Sequence, residues 1–394
     1  MRVRRRAHLV CRWEADGLFV ALPDQRRWLC ANSDLMSLLH AATEWTDADD
    51  LAARFGAEHA GRAHAAIKAL HDAGLLVSDD TDDALPPVWA HWGVVAQRAH
   101  VDARDANYLV DSPRRAEVAG QITADGQPPA PFKTYPDAPA LFLPRRAVPL
   151  RTPVEEVFAA RRTHRRFADA PVDVDALATV LSYTFAPQRF LDGGPFGVQQ
   201  ARVAASAGGR HEVECYVVVF AVDGVPPGLY HYAPDRHCLE LLDPGVDRAT
   251  VAALGYGQEP SYRGAFTCLT TAVAGRLSWK YRHPRAYRLW MYDAGHYGQT
   301  FALTCVALGL APFQTVAFHD SRVEALLGLD PDEEFAVYLL AAGLPEPAGV
   351  PGSAAGAPGP GPTGLPVDHP HPPLTRLATA RHTHRPAEPA ERRS

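Results

Sequence analysis

Apolar and polar residues alternate from His8 to Trp13 and again from Leu18 to Cys30 around Gly17, a period of two that predicts a short hairpin. Three stripes at helical spacing follow. Leu35, Met36, Leu38 and Leu39 form the first; the second runs to Phe55 from a capping-box-like start, Thr46 with Asp49 three residues on. Ala63, Ile67 and Leu70 mark the third, which stops at Gly74 before the apolar strand Leu75-Leu76-Val77. From Asp79 to Arg151 one predicted helix, Val88 to Arg104, alternates with Pro-rich connectors such as Pro128-Pro-Ala-Pro131. Beyond that, helical stretches (Val154 to Ala160, Leu289 to Leu310) alternate with short apolar strands (Glu214 to Val219, Gly228 to Tyr232, Cys238 to Leu242, Ala265 to Ala274, Glu334 to Gly343). After Pro345 the chain turns to Pro, Gly, Ala, His and Arg without periodicity, which predicts disorder. The expected organisation is a domain over 1–78, a linker with some helix over 79–151, a main domain over 152–345 and a tail over 346–394.

Composition narrows the function. At 394 residues the chain is long enough for two folded units, and its net charge of -6 gives no reason to expect nucleic acid or an anionic membrane. Hairpin, three helices and a returning strand is the layout of a winged helix. The third helix, however, lacks the basic surface that phosphate contact needs, since Glu58, His59, Arg62, Lys68 and Asp72 nearly balance. The start, Met1-Arg-Val-Arg-Arg-Arg, is like a signal-peptide n-region, but Arg12, Glu14 and Asp16 interrupt the apolar stretch that would have to follow. With no apolar run near the roughly 20 residues of a membrane span, the expectation is a cytoplasmic protein. Six cysteines stand without a CxxC pair or a histidine at ligand spacing, so no metal site or disulfide framework is expected. Cys215, Cys268 and Cys305 lie in apolar segments and read as buried. The tail's His369, His371, His382 and His384 read as solvated.

Candidate chemistry begins at Arg161-Arg-Thr-His-Arg-Arg-Phe167, after a predicted helix. Arginine forks and a threonine hydroxyl answer the charge and acceptor oxygens of a phosphomonoester, although an arginine run alone equally fits a solvated face. A second segment, Ala205-Ser-Ala-Gly-Gly-Arg-His211, is small enough for backbone to approach a flat ring. The third is Arg276-Leu-Ser-Trp-Lys-Tyr-Arg-His-Pro-Arg285, a basic stretch after an apolar strand.

Together, in this order and spacing, these segments resemble the nitroreductase superfamily. The Gly228-Leu-Tyr-His-Tyr232 hairpin and the adjacent Lys280-Tyr281 pair resemble its SagB-type branch, the dehydrogenases that form thiazole and oxazole rings in ribosomally made peptides. The resemblance covers about half the chain. It implies an α+β, FMN-binding fold: a central, mostly antiparallel sheet flanked by helices in an intertwined homodimer, with the Leu289 to Leu310 helix at the dimer core. It implies that Arg161, Arg162, Thr163 and Arg165 grip the FMN phosphate and ribityl chain, with Phe167 packed in the core. Ser206, Gly208 and Arg210 then sit beside the ring, although the family's proline is Ala205 here. Lys280 and Tyr281 would carry the proton chemistry. A lysine base must be neutral, which burial or nearby cations such as Arg276, Arg282, His283 and Arg285 would promote. His296 reads as a satisfied interior histidine. Residues 1–78 resemble the leader-peptide recognition modules of such enzymes, the alternative being a small domain that merely packs on its neighbour.

The leading expectation is therefore an FMN-dependent dehydrogenase that oxidises azoline rings, or another single bond, of a precursor peptide by proton abstraction and hydride transfer to flavin, with a cyclodehydratase as candidate partner. An NAD(P)H-dependent nitro or quinone reductase is the second reading. A non-catalytic scaffold that holds precursor peptide is the third.

Overall fold

The computed structural model describes residues 1–106, 114–124 and 126–346. The expected disordered tail, with its four histidines, lies outside the described residues from 347 on. Among the described residues no helix is long and apolar enough to cross a membrane.

Strands that read as unbroken apolar runs form the centre of the C-terminal half, because both of their faces are covered. A seven-stranded sheet runs Ala311–Thr315, Glu334–Gly343, Phe266–Val273, Val213–Val219, Gly228–Ala233, Cys238–Asp243 and Ala140–Phe142. Every neighbouring pair is antiparallel, so the expected α+β class with a central antiparallel sheet holds. On one face Val213, Cys215, Val217 and Val219 pack against the helices Val174–Phe185 and Leu289–Ala307. The long helix presents Tyr297, Phe301 and Cys305, four residues apart, to that core. Tyr216 and Val218 point the other way, toward Phe318, Val323 and Leu327. Cys215, Cys268 and Cys305 are buried as expected.

The connector is more structured than a linker. The single helix expected over Val88 to Arg104 is two, Pro87–Trp92 and Val94–Asp102, broken at Gly93, whose φ of +88° no continuous helix accommodates. Another helix, Arg114–Ala124, follows. Lys133 then bonds Glu334 at 2.6 Å and the Tyr216 hydroxyl at 2.8 Å, and Ala140–Phe142 pairs with Cys238–Glu240. The sheet domain thus begins upstream of residue 152.

In the N-terminal domain the hairpin is present as Val10–Glu14 and Gly17–Ala21, but the second strand does not run on to Cys30; the chain leaves the sheet and returns as a third strand, Leu29–Ala31. The arginine-rich start is itself a strand, Arg2–Arg5, with Val3 fully buried between Thr46–Asp47 and Leu76–Ser78. The second helix is capped by Asp47, which accepts the amide of Asp49 at 2.9 Å. Thr46, the expected cap, pairs with Val3 instead. The third helix, Ala60–Asp72, ends before Gly74 as its pattern predicts.

Candidate active site

Two segments of the sheet domain meet at Gly208. Strand Val213–Val219 is preceded by a loop whose Gly208 and Gly209 have φ of +59° and +65°. Strand Phe266–Val273 runs into a short helix, Ala274–Ser278, and then Trp279, Lys280 and Tyr281. A Cβ on Gly208 would overlap the Tyr281 hydroxyl and lie 2.7 Å from Lys280 Nζ. The positive φ and the missing space both require glycine here. The loop and the Lys-Tyr pair, 72 residues apart in sequence from Gly208 to Lys280, therefore converge on one point. Lys280 and Tyr281 are half-buried, with the ammonium 4.8 Å from the Phe196 ring centre.

Arg210 braces this arrangement. It donates to the carbonyls of Arg276 at 3.2 Å and Phe196 at 3.3 Å, and its guanidinium lies over Trp279 at 5.1 Å. Ser206 faces inward, its hydroxyl accepting the His211 amide at 2.8 Å. Arg276, expected as a cation near Lys280, is instead spent in the interior. It pairs with Glu214 at 2.5 Å and bonds the carbonyls of Ala130 and His211. Burial alone would raise the Glu214 carboxyl, but Arg276 and His231 hold it down at about 2.

Beneath the loop lies a set of buried polar groups that the sequence motifs did not single out. Asp293, on the long helix, accepts the Ala207 amide at 3.0 Å. His211 Nε2 meets the Gln200 carbonyl at 2.9 Å and must donate to it, so Nδ1 accepts from the Tyr297 hydroxyl at 2.8 Å. This neutral tautomer agrees with burial and the nearby Arg202, which push His211 down to about 3. Glu212 is fully buried, and burial together with the Asp293 charge pushes it up to about 8. The two carboxyls thus hold one proton between them at neutral pH, with Glu212 the neutral member, because Asp293 has the amide bond to stabilise its charge. The available signal was a charged residue interrupting an apolar run: Asp293 in a helix, Glu212 at the mouth of a strand.

The arginine segment leads from a helix end to the sheet edge. Arg161 ends the Val154–Ala160 helix in extended conformation, and the His164 amide donates to Pro312 of the sheet-edge strand at 2.9 Å. Arg161, Thr163 and Arg165 are exposed and Arg162 is half-buried. Phe167 bridges to Pro345 and packs against the core as expected. His296 is not interior: its side chain is 51% exposed, with Nδ1 3.2 Å from the Ala205 carbonyl.

Residues 158–344, which hold the loop described above and all of the sheet except its Ala140–Phe142 strand, match the nitroreductase family model. The chain carries a nitroreductase family domain. Trifolitoxin-processing protein TfxB of Rhizobium leguminosarum bv. trifolii is 30% identical over 172 residues, 42% of this chain and 46% of TfxB. Trifolitoxin operon protein TfxC of the same organism is 26% identical over 300 residues, 71% of this chain and 81% of TfxC. A solved structure from Anabaena variabilis, assigned to the nitroreductases, superposes with a TM-score of 0.50 at 18% identity, over 88% of this chain and 80% of that one. That likeness concerns the fold, and the chain spans under half the length of TfxB.

Proposed function

We infer that this chain is an FMN-dependent dehydrogenase of peptide maturation, oxidising azoline rings of a ribosomally made precursor to azoles. The observation that carries this reading is the convergence of Lys280 Nζ and the Tyr281 hydroxyl on the Gly208 loop. Relatives named for trifolitoxin processing support the peptide as substrate. The residues present fit FMN: exposed Arg161, Thr163 and Arg165 for a phosphate, and a glycine that lets backbone and two polar side chains crowd one spot. Arg161, Arg162, Thr163 and Arg165 would hold the phosphate and ribityl chain, and Ser206, Gly208 and Arg210 would form or brace the surface beside the ring. Bound FMN would supply the two-electron acceptor.

The chain's own part is proton handling and positioning. In its neutral amine form Lys280 Nζ would take the proton from the carbon beside the imine, while the Tyr281 hydroxyl would hold the ring in place by hydrogen bonding. Partial burial keeps bulk water from competing. The long helix presents an outward stripe of Met291, Tyr292, Gly295, His296 and Gln299, which fits a homodimer seam. The 1–78 domain would take the precursor's leader, with a cyclodehydratase supplying the azoline.

The test is the visible spectrum of the purified protein, followed anaerobically. Flavin bands bleached by an azoline-containing peptide alone support the reading. Bleaching by NADPH alone would sink it in favour of a reductase, and a colourless protein would point to a scaffold.

A further inference from the structure

The connector helix Val94–Asp102 is held from two sides by arginines. On the N-terminal side its own Arg98, which is buried, donates to the Leu22 carbonyl at 3.1 Å and to that of Gln25. Arg98 also pairs with Asp102 at 2.8 Å and lies over the Trp28 ring at 4.4 Å, so the helix is firmly seated on the first domain. From the sheet domain Arg288 donates to the His100 carbonyl at 2.9 Å, and Arg285 to the Ala103 carbonyl at 3.5 Å. The last carbonyls of a helix lack an intrahelical donor and form its negative end, which makes a guanidinium a fitting partner. Two more arginines of the same stretch reach connector backbone: Arg282 the Ile122 carbonyl at 3.5 Å, and Arg276 the Ala130 carbonyl at 3.0 Å. Together the four bracket Lys280 and Tyr281 in sequence.

We propose that Arg288, with Arg285, is a positioning residue for the Lys280 amine: the two guanidiniums seat the stretch after Tyr281 on the C-terminal end of the Val94–Asp102 helix, and that footing sets where the amine stands. The Lys280 and Tyr281 amides bond the Leu277 carbonyl at 3.1 and 2.8 Å, which fixes the near end of the stretch to the short helix Ala274–Ser278. Its far end, Pro284–Arg288, is a single turn that runs into the long helix and is pinned sideways by the two arginines. A general base acts only within hydrogen-bond reach of its proton, and a misplacement on the order of 1 Å can cost about 10²-fold. The inference rests on Lys280 as the base of the azoline-oxidising reading, and adds the connector to what holds that base in place.

The chain's lysines are Lys68, Lys133 and Lys280, and Lys68 is exposed. Acetic anhydride labelling of the full chain as purified, read by mass spectrometry, therefore reports on the Lys280 amine with Lys68 as internal reference. Arg288→Ala is expected to change Lys280 labelling severalfold relative to Lys68. Arg285→Ala should change it in the same direction by less, and carries the test should the first variant not fold. Arg288→Lys keeps a cationic donor and should stay near the parent. With an azoline peptide, Arg288→Ala should lower kcat about tenfold to a hundredfold with KM little changed. That factor should vanish in a Lys280→Ala background, because a positioning residue acts through the residue it positions. Unchanged Lys280 labelling in both alanine variants overturns the proposal, as does an equal rise at Lys68, the mark of general loosening, or a loss of kcat that persists without Lys280. Labelling needs no substrate, so the two readings separate. A shifted Lys280 in a protein that never oxidises the azoline peptide leaves the footing and removes the oxidation; oxidation with an unshifted Lys280 does the reverse.

Discussion

Asp293 holds the amide of Ala207 at 3.0 Å, so a buried carboxylate ties the loop that carries Gly208 to the long helix. Replacing Asp293 by Ala leaves that amide without its partner and should destabilise the protein by about 1–3 kcal/mol. Hydrogen exchange at Ala207 should accelerate more than exchange in the strand Val213–Val219. Uniform acceleration would mean that the carboxylate does not anchor the loop locally.

Gly208→Ala introduces a Cβ where the Tyr281 hydroxyl and Lys280 Nζ already stand, at a positive φ. The cost should be about 1–3 kcal/mol in denaturant unfolding. Peptide oxidation should fall by more than that loss of stability explains, because the Lys-Tyr pair must move. An alanine variant with parental turnover would show that the close approach has no bearing on activity.

The arginine segment and the Lys-Tyr pair should separate binding from chemistry. Arg161→Ala is expected to weaken FMN retention by about tenfold or more, the scale of one charge-assisted hydrogen bond. Lys280→Ala should retain flavin but lose about 10²–10⁴-fold in turnover, the range for a general base. Flavin content by absorbance and single-turnover bleaching measure the two effects independently.

Arg276→Met removes the paired cation of buried Glu214 and leaves it the His231 ring at 3.2 Å. The expected loss is about 3 kcal/mol, toward the lower end for a broken buried pair. Pairing the change with Glu214→Gln should recover part of it in the same denaturant titration; a double variant no more stable than the single one would refute the ion-pair account.

Stability should fall above about pH 6.5 and below about pH 4.5. The folded protein keeps a proton on Glu212 up to about 8, whereas an ordinary glutamate releases it near 4.5, so this contribution is full below 4.5 and lost as pH rises toward 8. Asp293 raises Glu212 and Arg276 opposes it, so Glu212→Gln should flatten the alkaline slope without abolishing the pairing of Arg276 with Glu214. On the acid side, His211 is held neutral down to about 3 although an unfolded histidine protonates near 6.5, and Glu214 stays ionised down to about 2. Between 6.5 and 4.5 the growing Glu212 contribution offsets the His211 loss, so melting temperature should be nearly flat there and drop steeply below 4.5.

Much of the fold was legible because its strands are covered on both faces and carry long apolar runs, as in Val217-Val-Val219, and because hairpin turns such as Pro234-Asp235 punctuate them. Local pattern misled where a single backbone angle decides: Gly93 at φ +88° splits a helix that side-chain spacing alone would continue. Asp47 rather than Thr46 caps its helix because Thr46 is recruited as a strand partner of Val3, a contact 43 residues away that local sequence does not carry. The Lys280–Gly208 encounter could be expected from motifs. The Asp293–Glu212 pair could not, since each residue looks like an isolated charge until the helix and strand are brought together. His296 reads as interior from the apolar helix around it, yet lies on the outward stripe.

The segment around Lys133 and Ala140–Phe142 changes what counts as the smallest autonomous unit. Chain cut at residue 152 would keep every residue of the family match, 158–344, yet would leave Glu334 and the Tyr216 hydroxyl without Lys133, deprive Arg276 of the Ala130 carbonyl, and expose the Cys238–Asp243 strand as a new open margin. An open margin of that kind invites pairing with other chains. Excised in this way, the sheet domain should aggregate, so its folding unit reaches upstream of the family match to the strap at Lys133 and Ala140–Phe142.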